Sequence, residues 1–376
     1  MRYLMSGGGT AGHINPALAI AGKIKEMEPD AEILFVGTPW GMEAKLVPAQ
    51  GFAFEGMKVA GFQRKISLTN VKRNAQAVWY LANSSHRARE IVENFKPDMA
   101  IGTGGYVCGP VLRKAAQMGV PVVVHEANAF PGVTIKMLAP LCECVMVTVE
   151  DAKARIKDAK WFEVTGNPIR SEMLKYDRET ARRELGVDDR PLILSFGGSL
   201  GARAINESML GLLLRSAKDG KYNHIHGYGQ YGSFVPETLR GEGVDLEKCK
   251  NLDVREYIND MPRVLAAADL VICRCGSMTL SELQVQGKPS ILVPSPNVSE
   301  NHQYYNAMAL VNRQAAQCIV ESDLTPEKMT ETIDTLMDDP SRLRLMAQNA
   351  KKMAITDASE RIYEVIRKVM ADKKKA

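Results

Sequence analysis

Short runs of apolar, largely β-branched residues alternate along the chain with longer stretches of helical period. This alternation predicts a parallel sheet covered by helices on both faces. The predicted strands of the first half are 2–6, 31–37, 98–103, 120–125, 144–149 and 162–165. Those of the second half are 192–196, 223–228, 252–257, 270–274, 290–293 and 317–320.

Both halves open with a strand, a glycine-rich turn and a helix. The first turn reads Gly7-Gly8-Gly9-Thr10-Ala11-Gly12-His13, and the second reads Gly197-Gly198-Ser199-Leu200-Gly201. The repeat is far longer than the unit of a stacked array, so it indicates two similar domains in tandem. We therefore predict an α/β protein with two Rossmann-like, doubly wound domains.

Turn-forming residues at Gly166-Asn167-Pro168 place the predicted domain boundary. The predicted domains are 1–165 and 166–358, followed by a helix within a basic tail, 359–376. The pattern of that helix does not show where it docks, and packing back on the first domain is the arrangement we consider.

Composition narrows the class of protein. Charged residues make up 24% of the chain and hydrophobic residues 45%, which is typical of a globular protein. A net charge of +4 without a long basic run argues against a nucleic-acid partner. The N-terminus carries a glycine cluster where a signal peptide needs an apolar segment, and no stretch is apolar enough to span a bilayer, so we expect a cytoplasmic protein.

The seven cysteines are an odd number spread over a long chain, which argues against a disulfide framework. Two C-x-C pairs, Cys142/Cys144 and Cys273/Cys275, lie in apolar runs without a spaced partner pair. We interpret them as small buried side chains rather than zinc ligands.

The segment 56–89 contains seven Lys and Arg residues and no acidic residue. Apolar side chains such as Trp79 are interspersed with Arg64, Lys65, Lys72 and Arg73. This pattern is typical of an interfacial segment that contacts anionic lipids. An ordinary solvated basic face over a helix stripe is the alternative.

A glycine-rich turn between strand and helix lets backbone N–H groups approach a phosphate, with help from the helix dipole. Such glycines can also serve only tight strand-to-helix packing. His13 lies at the start of the first helix, where the dipole favours a neutral imidazole that can accept a proton. It is a candidate general base, and a helix-capping or core histidine is the alternative.

Other polar residues follow predicted strands, at the sheet edge where open α/β folds bind ligands. In the first half these are Tyr106, Glu126 and Asn128. In the second half the string 273–283 leads from a strand into a helix near Ser277, and Gln303 follows the next strand. Small hydroxyl residues at that helix start suit a pyrophosphate, and Glu282 is placed to meet ribose hydroxyls.

Taken together, these strings resemble the bacterial peptidoglycan glycosyltransferases that move N-acetylglucosamine (GlcNAc) from UDP-GlcNAc onto undecaprenyl-pyrophosphoryl-MurNAc-pentapeptide, which converts lipid I to lipid II. The matching strings are 7–16, 104–106, 125–128, 166–170, 197–203, 257–261, 274–282 and 303–307. The sequence departs from the family's usual pattern at Ala11, where glycine is common, at Ala127-Asn128, and around Gly276 at Cys275 and Ser277.

The resemblance implies the glycosyltransferase-B architecture, in which two Rossmann-like domains face a central cleft. It implies that His13 is the catalytic base or a residue that positions the acceptor. The substrate-binding residues that it implies are Thr10, Ala11, Gly12, Asn128, Arg170, Ser199, Ile258, Ser277, Met278, Thr279, Leu280, Ser281, Glu282 and Gln303. Ile258 would hold uracil through its backbone, and Gln303 would contact the GlcNAc hydroxyls.

The resemblance further places Tyr106 and Glu126 on the acceptor side, and the lipid-linked acceptor favours Arg64, Lys65, Lys72, Arg73 and Trp79 as membrane-facing residues. The implied partners are UDP-GlcNAc, the undecaprenyl-linked MurNAc-pentapeptide, the anionic cytoplasmic membrane surface and other cell-wall synthesis proteins. No cofactor or metal is expected, since the motif regions lack a D-x-D string at a strand end.

Two other hypotheses about the function stay open at this point. One is a related two-domain sugar-nucleotide enzyme, such as a UDP-GlcNAc 2-epimerase or a glycolipid-forming transferase. The other is a non-catalytic UDP-sugar-binding subunit of a membrane complex, which would keep the second-domain motifs and could lose the His13 loop.

Overall fold

The chain forms two compact units. Unit 1 comprises Met1–Ile169 with Asp357–Ala376, and unit 2 comprises Arg170–Thr356. The computed structural model describes residues 1–59 and 68–373, without the side chains of 68–79, 81 and 82.

Unit 1 is built on a parallel sheet with helices in the connections. Its strands are β1 (Arg2–Gly7), β2 (Glu32–Gly37), β3 (Ala53–Gly56), β4 (Met99–Gly104), β5 (Val122–Glu126), β6 (Cys144–Val147) and β7 (Phe162–Val164). Its first helices are α1 (Ala11–Met27), α2 (Glu43–Ala49), α3 (Leu68–Phe95), α4 (Cys108–Gln117) and α5 (Val133–Leu138). The strand order is β3-β2-β1-β4-β5-β6-β7.

Alternating residues of the unit 1 strands pack into two separate cores. On β1, Leu4 faces one core, together with residues of α4 and the C-terminal half of α3. Tyr3 and Met5 face the other core, which α1 covers. Both faces of the sheet are therefore buried, and the strands are almost continuously apolar, as parallel sheets require.

Unit 2 repeats this plan. Its strands are β8 (Leu192–Phe196), β9 (Asn223–Gly227), β10 (Leu252–Arg255), β11 (Leu270–Cys273), β12 (Ser290–Leu292) and β13 (Ala316–Cys318). Its helices are α6 (Arg178–Leu185), α7 (Arg203–Asp219), α8 (Phe234–Gly241), α9 (Met261–Ala267), α10 (Ser277–Gln286), α11 (His302–Val311), α12 (Pro326–Met337) and α13 (Pro340–Lys352). The strand order is β10-β9-β8-β11-β12-β13, again parallel.

The strand order reverses direction at one point in each sheet. In unit 1 this switch point lies between β1 and β4, and in unit 2 it lies between β8 and β11. The chain leaves neighbouring strands toward opposite faces there, which opens a crevice at the carboxyl edge of the sheet. The glycine-rich turns identified in the sequence follow β1, β4 and β8, and the Gly276 turn follows β11.

The C-terminal helix, α14 (Ala358–Lys373), belongs to unit 1. Five of its apolar side chains join the core that α1 covers, and Ile366 among them is fully buried. The Tyr363 and Tyr3 hydroxyls both donate to Glu28 Oε1, at 3.1 and 2.8 Å. Lys23 of α1 also pairs with Glu360 at 3.0 Å.

The α/β class with two Rossmann-like sheets is confirmed, and each predicted strand has a counterpart whose ends differ by a few residues at most. The short edge strand β3 was missing from the prediction. Its sequence is Ala-Phe-Glu-Gly, and its residues are exposed or only half-buried, so it lacks the apolar run seen in strands such as β6 and β11.

The four cysteines of the two C-x-C pairs are buried and unpaired. Burial raises the pKa of the Cys144 and Cys273 thiols to about 12, so these side chains stay protonated and act as small apolar groups. Within the described residues, no helix combines the length and the apolar character needed to cross a membrane.

The packing of α14 generates a stability prediction. Replacing Ile366 by Ala removes a fully buried side chain and leaves a cavity, so it should lower the free energy of unfolding by about 2–5 kcal/mol. Denaturant unfolding measures this loss. Glu364→Ala, on the exposed face of the same helix, is the control and should change it by about 0.5 kcal/mol or less. Equal stabilities for both variants would contradict the docking of α14.

Candidate functional site

The turns after β1 and β4 meet at the switch point of unit 1. The Gly8 amide donates to the Gly104 carbonyl at 3.3 Å. Gly104 has a φ of +106°, and a Cβ on the next residue, Gly105, would lie 2.3 Å from the Gly8 carbonyl oxygen. Only glycine allows this backbone conformation and this approach of the two turns.

His13 lies in the first turn of α1, against these two turns. Its Nδ1 is 3.0 Å from the Gly8 carbonyl oxygen and 3.3 Å from Thr10 Oγ1. A carbonyl oxygen can only accept, so this contact assigns the proton of the neutral ring to Nδ1 and the lone pair to Nε2. The imidazole lies against Gly104, where a Cβ would come within 3.0 Å of Nε2.

The backbone of His13 is anchored as well. Thr103 Oγ1, at the end of β4, donates to the His13 carbonyl oxygen at 2.7 Å. Thr10 precedes the helix without a side-chain cap hydrogen bond, so it leaves the first amides of α1, at Ala11 and Gly12, without a side-chain cap. The ring and the helix start are thus fixed beside each other.

Glu43 is a polar residue of this site that the sequence did not reveal. It begins α2, is 1% exposed, and accepts from the Gly9 amide at 3.1 Å. Its other oxygen accepts from the amide and hydroxyl of Thr38, at 2.9 and 2.7 Å. Burial alone would raise the pKa of Glu43, but these hydrogen bonds outweigh burial and lower it below the ordinary value.

Glu126 organises the loop after β5. It is buried, and its Oε1 accepts from the backbone amide and the side-chain amide of Asn128, at 2.8 and 3.1 Å. Its Oε2 accepts from the Gly132 amide at 2.8 Å. Burial raises the pKa of Glu126, and the hydrogen bonds from Asn128 and Gly132 act in the opposite direction. Glu126 therefore supports the loop that carries Asn128, while Tyr106, after β4, is 58% exposed.

In unit 2 the start of α10 lies at the switch point without a side-chain cap. Gly276 precedes it, and no side chain of the described residues accepts from the amides of its first turn at Ser277, Met278 and Thr279. Among the other described helices of this unit, α6, α12 and α13 are capped by Asp177, Thr325 and Asp339, whereas α7, α8, α9 and α11 also begin without a side-chain cap. An uncapped N-terminus of a ten-residue helix at a sheet edge suits an anion.

Further along α10, Leu280, Ser281 and Glu282 are buried. The Ser281 hydroxyl donates to the Ser277 carbonyl at 3.1 Å, within the helix. Glu282 accepts from Arg170 Nη2 at 3.1 Å. Burial raises the pKa of Glu282, and the Arg170 charge opposes that rise. The resemblance implied that Glu282 and Arg170 both bind the substrate, without linking them. The structure shows that the two side chains are bonded to each other.

Gln303, near the start of α11, fixes two loops of the same edge. Its Oε1 accepts from the Cys275 amide at 3.2 Å and from the Ser295 amide at 2.9 Å. Asn306, in the same matching string 303–307, donates to the Cys275 carbonyl at 3.1 Å. With its oxygen used in this way, Gln303 would meet a ligand through its NH₂ group, which is a donor for sugar hydroxyls.

The remaining predicted residues of unit 2 lie at the same edge. Ser199 follows β8 and is exposed, and its carbonyl accepts from the Gln230 amide at 3.1 Å. Ile258 follows β10, is 5% exposed and packs against Gly227. The loops after β8, β10, β11 and β12 thus all contribute to one edge of the sheet.

Of the predicted membrane-facing residues, Arg64 and Lys65 lie outside the described residues. Lys72, Arg73 and Trp79 lie on α3, in the part whose side chains are not described. At the end of the acid-free segment, Arg87 pairs with Glu55 and Glu90, and Arg89 with Glu93. The described residues contain no group of three or more His, Cys, Asp or Glu side chains placed to hold a metal ion.

Comparison with known proteins agrees with this arrangement of two sheets. A protein of Acetivibrio thermocellus named UDP-N-acetylglucosamine--N-acetylmuramyl-(pentapeptide) pyrophosphoryl-undecaprenol N-acetylglucosamine transferase is 48% identical over 99% of both chains. A protein of Thermoanaerobacter sp. with the same name is 45% identical over 98% of this chain and all of its own. The crystal structure of MurG from Acinetobacter baumannii superposes with a TM-score of 0.78 at 28% identity, covering 98% of this chain and 99% of that one.

Domain families divide the chain in the same way. Residues 3–147 match the glycosyltransferase family 28 N-terminal domain, and residues 192–362 match the glycosyltransferase family 28 C-terminal domain. These matches cover both switch points and the turns that follow them. The chain belongs to glycosyltransferase family 28.

Proposed function

We propose that the protein transfers GlcNAc from UDP-GlcNAc to the 4-hydroxyl of MurNAc in undecaprenyl-pyrophosphoryl-MurNAc-pentapeptide, which converts lipid I to lipid II in peptidoglycan synthesis. The observation that carries the proposal is a glycine-rich turn and an uncapped helix at the switch point of each sheet. The named transferases at 45–48% identity over nearly the full chain support it.

The donor is proposed to bind unit 2. The amides of Ser277, Met278 and Thr279 would receive the pyrophosphate, with Ser199 contributing from the neighbouring turn. Glu282 would accept hydrogen bonds from the ribose hydroxyls, and Arg170, already bonded to it, would keep its carboxylate oriented. The backbone at Ile258 would contact uracil, and the Gln303 NH₂ group would donate to the sugar.

Unit 1 would supply the base and the acceptor side. Nε2 of His13 takes the proton of the MurNAc 4-hydroxyl while that oxygen bonds to the anomeric carbon of GlcNAc. The bond from that carbon to the β-phosphate oxygen breaks, and UDP leaves with the electron pair. A single displacement of this kind inverts the anomeric configuration. The α10 dipole stabilises the charge that develops on UDP.

Because the acceptor is lipid-linked, the protein would work at the cytoplasmic face of the membrane as a peripheral protein. The segment 56–89 is the proposed contact for anionic lipids. The pairing of Arg87 and Arg89 with glutamates reduces the net charge at its end, so Arg64, Lys65, Lys72 and Arg73 carry most of the proposed attraction.

The transfer itself is tested by incubating the protein with UDP-[¹⁴C]GlcNAc and a lipid I analogue with a shortened lipid. The proposed function requires label in the acceptor product. An epimerase would instead isomerise UDP-GlcNAc without needing an acceptor, and a binding subunit would retain the donor unchanged. Either result would replace the proposal.

Loss of the Glu282 carboxylate should weaken donor binding. Glu282→Ala removes charge-assisted hydrogen bonds to ribose, so the Kd for UDP-GlcNAc should rise by about one to two decades, or ~1.5–3 kcal/mol. Isothermal calorimetry gives the affinity, and thermal unfolding checks the fold. Glu172→Ala, at an exposed position of the same unit, is the control. An unchanged Kd in a folded Glu282→Ala protein would exclude the ribose contact.

Loss of the His13 imidazole should slow chemistry. His13→Ala should lower kcat by ~10²–10⁴-fold and leave the Kd for UDP-GlcNAc nearly constant, because the nucleotide is proposed to bind unit 2. His86→Ala, on the exposed surface of α3, is the control with a soluble acceptor. If only the KM for the acceptor rises, His13 positions the acceptor and is not the base.

Charge reversal in the basic segment should reduce lipid binding. Each basic side chain near an anionic surface contributes ~1 kcal/mol, so changing Arg64, Lys65, Lys72 and Arg73 together to Glu should remove most salt-sensitive co-sedimentation with anionic liposomes. Activity on a short, soluble acceptor should persist. The proposed lipid contact would be wrong if the quadruple variant co-sediments as much as the parent. It would also be wrong if co-sedimentation of the parent does not change with salt concentration.

A further inference from the structure

The peptide unit between Gly8 and Gly9 bonds to two side chains, His13 through its carbonyl and Glu43 through its N–H. Its carbonyl oxygen is 3.0 Å from His13 Nδ1. Its N–H donates to Glu43 Oε2 at 3.1 Å. A trans peptide is planar and directs these two groups to opposite sides, so Glu43 and His13 approach the same conjugated unit from opposite directions.

The Glu43 carboxylate is held rigidly at its end of this connection. Both of its oxygens accept hydrogen bonds, and three glycines leave room for it. A Cβ at Gly8, Gly37 or Gly41 would lie 2.6 Å or less from an atom of the Glu43 side chain. A buried carboxylate with hydrogen bonds only from amides and a hydroxyl remains ionised, which agrees with its lowered pKa.

A negative charge that accepts from a peptide N–H polarises the amide and places more negative charge on its carbonyl oxygen. That oxygen then binds the His13 Nδ1–H more strongly. The proton is held on Nδ1, the lone pair stays on Nε2, and the imidazolium that forms on proton uptake is stabilised. A carboxylate bonded directly to a catalytic histidine acts in the same way in hydrolases.

We propose that Glu43 is a positioning residue for the transfer reaction, and that it acts on His13 through the Gly8–Gly9 peptide. The proposal rests on the proposed function of His13 as the base. The connection is built from Gly8, Gly9, His13 and Glu43, all of unit 1, and the donor is proposed to bind unit 2, so its effect should fall on chemistry and not on nucleotide binding.

A double-mutant cycle separates this role from general support of the loop. Glu43→Gln should lower kcat by ~10–100-fold in the parent, by analogy with groups that orient reactive histidines. In a His13→Ala background the same change should lower kcat by less than ~3-fold, because the residue through which Glu43 acts is gone. The Kd for UDP-GlcNAc should stay within ~2-fold throughout.

Glu28→Gln is the matched control, because Glu28 is a partly buried carboxylate of the same unit at the far end of α1. It should leave kcat unchanged even if thermal unfolding shifts. Should Glu43→Gln fail to fold, Glu43→Asp, which withdraws the charge by one methylene group, serves for the same cycle. Equal losses of kcat in both backgrounds would overturn the proposal.

NMR of protein labelled with [¹⁵N]histidine gives a readout that does not depend on turnover. The chain has six histidines, and the His13→Ala spectrum identifies the His13 signals. The parent should show a protonated Nδ1 and a lone pair on Nε2, with a downfield Hδ1. Glu43→Gln should move Hδ1 upfield and populate the other tautomer, and an unchanged His13 signal would overturn the proposal.

Failure of the proposed function can be distinguished from failure of the proposed connection between Glu43 and His13. If the parent transfers no GlcNAc, the proposed function fails, while the NMR comparison still decides whether Glu43 controls His13. If the parent is active and the His13 signals are unchanged in Glu43→Gln, Glu43 does not act on His13 and the proposed function stands.

Discussion

Parallel strands all end at the same edge of a sheet, and a chain that turns directly from such a strand into a helix leaves the first helical amides without backbone partners. A side-chain cap can satisfy one of these amides, as Asp177, Thr325 and Asp339 do here, although other described helices such as α8 and α9 also begin without one. At the switch points of both sheets the helix starts lack such caps. Glycines allow the sharp turns that precede these helices. An anionic ligand can then accept hydrogen bonds from the amides that have no other partner.

The loops at this edge are held by side chains that accept hydrogen bonds from backbone amides, namely the buried carboxylates of Glu43 and Glu126 and the half-buried amide of Gln303. Glu43 ties down the turn after β1, Glu126 organises the loop after β5, and Gln303 joins the loops after β11 and β12. Each accepts two or more hydrogen bonds from backbone amides, so the buried polar atoms are satisfied while the loop is held in one conformation. His13 is itself positioned by its Nδ1, which bonds to the Gly8 carbonyl, and by its own carbonyl, which accepts from Thr103.

The sheets could be predicted from the sequence because both faces of the central strands are covered, which makes strands such as β6, β8 and β11 nearly continuous apolar runs. Strand β3 was not predicted, because its four residues are exposed or only half-buried and do not form an apolar run. The docking of α14 could not be predicted from its own pattern, because its partners Tyr3 and Glu28 lie at the other end of the chain. The motif residues could be predicted because glycines and polar side chains directly follow the predicted strands, where open α/β sheets bind ligands. Glu43 was missed because an acidic residue in a first helical turn is ordinary in any helix, and only the fold reveals that it accepts from Gly9.

We propose that His13 is the base of a single displacement and that the leaving UDP is stabilised on unit 2. The anomeric configuration of the product tests this most directly. UDP-GlcNAc is α-linked, so transfer to a soluble lipid I analogue should give a disaccharide whose GlcNAc anomeric proton shows the large coupling of a β-linkage in the ¹H NMR spectrum. A product with the small coupling of an α-linkage would mean retention, and the single-displacement account would be wrong.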